Sequence, residues 1–102
     1  MIDLKEATFI IPIRIESPDR LRNVITVTAF LLENFDTNII IKEVDSESVF
    51  QKEAMPILRQ ICEVPIDVKH IFVQSYEPLF HRQKVLNEMI MEANTKIVVN
   101  YD

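Results

Sequence analysis

The sequence predicts an α/β fold: a Rossmann-like, open parallel sheet of about four strands with helices on both faces. Two observations predict it. Short β-branched, apolar runs alternate with longer stretches whose apolar residues recur at helical spacing. The clearest of the short runs is apolar on both of its faces, as a strand covered by helices on either side must be. A chain of 102 residues, 48% hydrophobic and 26% charged, builds one domain, 1–102, around one modest core.

The first strand is expected over residues 8–13 (TFIIPI), with pairing fading at Pro12, which has no N–H for the ladder. Ser17-Pro18-Asp19 then opens a helix: Ser17 caps, Pro18 suits the first turn, and Asp19 favours the positive end of the dipole. Leu21, Val24, Ile25, Thr28, Leu31 and Leu32 carry that helix to about residue 33. Residues 38–42 (NIIIK) form the second strand, ending at Glu43-Val44-Asp45. The next helix is capped by Ser46 or Ser48 and broken by Pro56, with Ile57, Leu58 and Ile61 packing from its second piece. Residues 68–73 form a third strand, less buried because it carries Lys69 and His70. A helix over 80–93 presents Phe80, Leu86, Met89, Ile90 and Ala93 on one broad face. It leads to a fourth strand that begins at Ile97 and runs toward Asp102.

Parallel strands joined by right-handed crossovers put the first strand at the centre. The second and third lie to one side and the fourth to the other. This opens a switch point beside the first strand, where ligands bind in open α/β sheets. Arg14 and Glu16, Glu43 and Asp45, and Asn100 and Asp102 are expected to converge there. An apolar strand running straight into a carboxylate at Asp102 also reads as the front part of a larger catalytic domain.

Composition excludes several function classes. A net charge of -5 with scattered basic residues argues against general nucleic-acid binding. With no glycine, the chain has neither a glycine-rich dinucleotide fingerprint nor a phosphate-cradling P-loop, because both need backbone to approach phosphate where a Cβ would stand. A bound nucleotide must be held mainly by side chains and a metal. No apolar stretch is long enough to cross a bilayer and no signal peptide is visible. The single cysteine, Cys62, reads as a small core residue in a reducing compartment, so the expected location is cytoplasmic. His70 and His81 lack partners at zinc-ligand spacing. Arg20 and Arg22 are expected to face solvent, and Tyr76 and Phe80 to pack in the core or stack on a base.

The stretches TFIIPIRIESPDRLRN and KVLNEMIMEANTKIVVNYD resemble the nucleotide-binding half of GT-A glycosyltransferases, particularly family 2 and its galactosyltransferase-like bacterial relatives. The former stretch is similar to that family's opening strand, its Pro and its first helix. The latter is similar to its Lys-x-x-Asn helix leading into the strand that delivers an Asp-x-Asp motif. Met89 stands where the family usually has Gly, Glu43-Val44-Asp45-Ser46 replaces its paired Asp residues followed by Gly-Ser, and only the first Asp of Asp-x-Asp is present.

The resemblance implies a site for a sugar nucleotide, a UDP-sugar, whose sugar passes to a glycan or lipid-linked acceptor. By that resemblance Pro12, Ile13 and Arg14 line the uracil and ribose pocket, and Glu43 accepts from the uracil N3–H. Arg82 or Lys84 faces the base or the diphosphate. Asp102 holds the ribose or reaches a divalent cation, Mn2+ or Mg2+, through water. A divalent ion bridging a diphosphate offsets leaving-group charge. No residue here is assigned as catalytic base, so the chain alone is expected to be inactive in transfer.

The rival class is a small non-enzymatic α/β regulatory or interaction module. A phosphoacceptor receiver would carry paired acids after the first strand and an Asp after the third, where this chain has Ile-Arg-Ile-Glu and Gln-Ser-Tyr. A generic interaction domain stays open, with tight self-association insensitive to nucleotide as its signature. A homodimer formed through the exposed fourth strand would suit either class.

Overall fold

A computed structural model describes residues 1–100. The elements run β1 (Ile2–Ile13), α1 (Pro18–Asn34), β2 (Phe35–Asp45), a π-helical turn (Phe50–Ala54), α2 (Met55–Ile61), β3 (Lys69–Gln74), α3 (Arg82–Glu92) and β4 (Ile97–Asn100). The four strands form one sheet in the order β3-β2-β1-β4, and every pair is parallel. The expected order, with the first strand flanked by the second and fourth, is therefore what the chain adopts.

Alternation along β1 divides the core in two. Phe9, Ile11 and Ile13 pack with Ile39 and Ile41 against Val24, Ile25 and Leu31 of α1 and Phe50, Ala54 and Leu58 beyond β2. Ile10 and Ile40 point the other way, onto Val85, Leu86 and Met89 of α3. Ile10, Ile41, Leu31 and Met89 have no exposed surface. Each such side chain contributes about 1.5–3 kcal/mol by leaving water. The helices thus cover both faces, and the two-sided apolar character of β1 follows from its central place.

Local signals in the sequence act as expected at α1. Ser17 is extended at the N-cap and its Oγ accepts from the Arg20 amide at 3.2 Å. Pro56 acts through a specific distortion. In a continuous α-helix its ring would clash with the carbonyl four residues back and leave that carbonyl without a donor. The chain widens instead into the π-helical turn, where the Met55 amide donates to the Phe50 carbonyl, and Pro56 falls in the first turn of α2.

β1 pairing does not fade at Pro12 but continues to Ile13, opposite Lys42 and Glu43, and two strands start three or more residues before their expected positions. β1 begins at Ile2, because Ile2–Leu4 pair with Phe35–Thr37 before a register shift between Leu4 and Thr8. Side chains of β2 hold that irregularity. Thr37 Oγ1 donates to the Leu4 and Ala7 carbonyls, and Asn38 Nδ2 to those of Lys5 and Ala7. β2 likewise starts at Phe35, directly after α1, and runs on to Asp45. No described residue has a positive φ, so every turn is made without the left-handed conformation that glycine favours. A chain with no glycine needs turns of that kind. No helix among the described residues is long and apolar enough to cross a membrane.

Candidate functional site

The described part of β4 pairs with Ala7 to Ile10 of β1, so Ile11, Pro12 and Ile13 lie beyond its last described rung. A cavity of about 420 Å³ opens beside them, at the carboxyl ends of the strands. Its apolar floor comes from Ile11, Ile13, Val24 and Val27. Arg14, Arg20, Arg82 and Asn23 supply its polar groups, and Phe80 adds an aromatic ring. The volume suits a ligand of nucleotide size, toward the lower end of ligand pockets. A second cavity of about 400 Å³ lies across Arg14 and is lined by Lys42, His81, Lys84 and Glu88 among others.

Arg14 is the wall common to both. It follows the end of β1 and is buried. Its Nε donates to the Val44 carbonyl at 2.7 Å and its Nη1 to the Glu77 carbonyl at 2.8 Å. The guanidinium carbon sits 5.6 Å from the centre of the Phe80 ring, within cation–π range. One residue thereby joins the ends of β1 and β2 to the segment between β3 and α3. Arg82 Nη2 donates to Asn100 Oδ1 at 3.4 Å and ties the start of α3 to the end of β4.

Of the residues expected at a nucleotide site, Pro12, Ile13, Arg14 and Arg82 come together on the first cavity. Lys84 is exposed and opens onto the second. Asp102 lies outside the described residues. Glu43 does not line either cavity. It is completely buried on the α1 and α2 side of the sheet, and its carboxylate is engaged there. Oε1 accepts from Ser48 Oγ at 2.6 Å and lies 3.1 Å from His70 Nε2. Oε2 accepts from the amides of Val49 at 2.9 Å and Phe50 at 3.1 Å.

Burial by itself pushes the Glu43 carboxyl up, but hydrogen bonds from His70, Ser48 and the Phe50 amide outweigh it. They hold the group below the usual carboxylate range. The His70 ring also packs on Phe50, with centroids 4.8 Å apart. Glu43 is thus the acceptor that starts the π-helical turn, and the base-edge contact implied for it is not presented to the cavity.

On the opposite face, Lys42 is buried with Nζ 3.3 Å from Glu88 Oε2 and 3.1 Å from Glu92 Oε1. Burial pulls that ammonium down, and the Glu92 and Glu88 hydrogen bonds overcome it, so the Lys42 pKa is raised. This cluster bridges β2 and α3.

Arg20, expected to face solvent, and Asn23, for which the sequence carried no expectation, both line the cavity from the exposed side of α1. The Ser17 cap carries the signal: it places Arg20 in the first helical turn, beside the strand ends. Arg22 does face solvent, 3.8 Å from Asp19. Among the described residues no group of three or more His, Cys, Asp or Glu is placed to hold a metal ion, and no carboxylate lines the first cavity. These residues do not fit the divalent cation that the resemblance implies; its one candidate ligand, Asp102, is outside them. Comparison with protein-family models, with curated proteins and with solved structures finds no match to this chain.

Proposed function

We propose that this chain is the donor-binding part of a GT-A-type glycosyltransferase and takes a sugar nucleotide, a UDP-sugar, into the cavity beside β1. The observation that carries this reading is the combination of an apolar floor with three arginine residues, Arg14, Arg20 and Arg82, at the carboxyl ends of parallel strands. An apolar floor accepts the faces of a base and ribose, and guanidinium forks match phosphate oxygens. A glycine-free chain has no glycine-rich backbone cradle for a diphosphate, which puts more of the task on side chains. Transfer to a glycan or lipid-linked acceptor in the cytoplasm requires a catalytic base that none of these residues provides.

Titration of the chain with UDP, UDP-glucose and uridine by isothermal calorimetry tests the reading. Charge-assisted hydrogen bonds are worth about 1.5–3 kcal/mol each, so UDP should bind at least about tenfold more tightly than uridine. Equal affinity for the two, or no binding by either at millimolar concentration, refutes it. A non-enzymatic interaction module is the second reading. Partly exposed apolar residues on both edge strands favour it, with Phe72 38% and Ile97 52% exposed. Its mark would be micromolar or tighter self-association that nucleotide leaves unchanged.

A further inference from the structure

Arg14 is a firmly held cation on the cleft, and one end of it is unused. The residue is 8% exposed. Nε and Nη1 are spent on the Val44 and Glu77 carbonyls, whereas Nη2 is buried and has no acceptor among the described residues. Both acceptors it does have are neutral, and no described carboxylate pairs with it. A buried charged donor without an acceptor is costly, and a guanidinium satisfies it best with a planar or tetrahedral oxyanion.

What shields Nη2 includes the segment between β3 and α3, which carries Phe80 over the guanidinium face. That segment is held at several points. Its Glu77 carbonyl accepts from Arg14 Nη1, the Ser75 amide donates to the Asp45 carbonyl at 2.8 Å, the Glu77 amide to Ser75 Oγ at 3.2 Å, Gln74 Nε2 to the Tyr76 hydroxyl at 2.9 Å and the Arg82 amide to the Phe80 carbonyl at 3.0 Å. The bond that ties the middle of this segment to the end of β1 is made by the same side chain that an incoming anion would engage.

We propose that Arg14 Nη2 is an oxyanion-binding donor for the phosphoryl group of the cleft's ligand. It acts without a divalent ion, and its engagement shifts the segment from Ser75 to His81. This deepens the sugar-nucleotide reading by naming the group that meets the diphosphate, and it applies to any phosphate-bearing ligand of the cleft. The arginine lining supports it, as does the lack of a described carboxylate there to hold an ion.

The test is a titration of the ¹⁵N-labelled chain with pyrophosphate in EDTA at about 0.15 M ionic strength, where loose surface binding is screened. The Arg14 Nε–H and Glu77 amide signals are followed, and UDP is then titrated in the same buffer. Saturable binding that moves both signals with one dissociation constant is expected. Arg14→Lys should weaken it at least tenfold, and Arg22→Lys, on the solvent side of α1, less than twofold. If Arg14→Lys fails to fold, the wild-type signals decide. Absence of saturable binding in EDTA, or binding that leaves the Arg14 signal in place, overturns the proposal. UDP binding that appears only with Mn2+ while pyrophosphate stays silent in EDTA overturns it too, and leaves the sugar-nucleotide reading standing. Pyrophosphate binding in EDTA with no gain from uridine in UDP supports the proposal and overturns that reading.

Discussion

Replacing Glu43 with alanine separates a structural role from a ligand-binding one. The substitution removes the acceptor for two amides, Val49 and Phe50, at the start of the π-helical turn, and for Ser48 Oγ and His70 Nε2. Ser48 and His70 are half-buried and regain water at little cost. Phe50 is fully buried and its amide loses its acceptor outright, whereas Val49 is half-buried and its amide recovers part of the loss from water. At about 1–3 kcal/mol for the buried Phe50 amide and about 1 kcal/mol for the part-buried Val49 amide, the loss is about 2–4 kcal/mol, centred near 3. That is a large part of the ~5–15 kcal/mol expected for such a domain, and corresponds to a fall in Tm on the order of 20 °C.

Glu43→Gln keeps the shape. Its carbonyl oxygen can face the two amides while its NH2 meets a lone pair of Ser48 Oγ. Charge-assisted bonds become neutral ones while a buried charge is relieved, so the expected loss is about 1–2 kcal/mol. Urea unfolding at pH 7, followed by circular dichroism with UDP titration in parallel, reads both effects. A Glu43→Ala protein within about 1 kcal/mol of wild type, but more than tenfold weaker for UDP, would refute the internal-cap argument.

Two further outcomes follow from the charged groups. The folded Glu43 carboxyl titrates below its ordinary 4.5, so its stabilising effect is complete above that value and is lost as pH falls through the folded value. Tm measured from pH 7 down to about 3 should therefore drop less steeply in Glu43→Gln than in wild type, and parallel curves would contradict this. Lys42→Met should change stability by no more than about 1 kcal/mol at pH 7. The half-exposed Glu88 and Glu92 return to water, and a methionine fills the space of the buried lysine stem without its desolvation cost. A loss above about 3 kcal/mol in urea unfolding would mean that the ion cluster holds α3 in place.

Element order, the cap at Ser17, the interruption at Pro56 and the central place of β1 were legible because each rests on local chemistry or on short connections. A β-branched apolar run needs cover on both faces. A serine before a proline starts a helix, and a proline within one disrupts it. The α/β class follows from these alone. The opening of β1 at Ile2 was not legible, since it depends on Thr37 and Asn38 reaching back more than 30 residues to satisfy an irregular stretch of backbone.

Glu43 divides the two kinds of knowledge most sharply. Its place at a strand end was readable, but the direction of its carboxylate was set by its partners. β3 pairs in a register that sets Ile41 beside His70, which brings that imidazole onto the face where Glu43 points. Arg14 is similar: one guanidinium at the end of β1 is shared among a β2 carbonyl and, from the segment between β3 and α3, a loop carbonyl and a phenylalanine ring. Backbone propensity and apolar periodicity are properties of neighbours in the chain, and sequence carries them. The destination of a buried charge is settled by long-range register and by competition among all nearby donors and acceptors, and only the assembled fold brings those groups together.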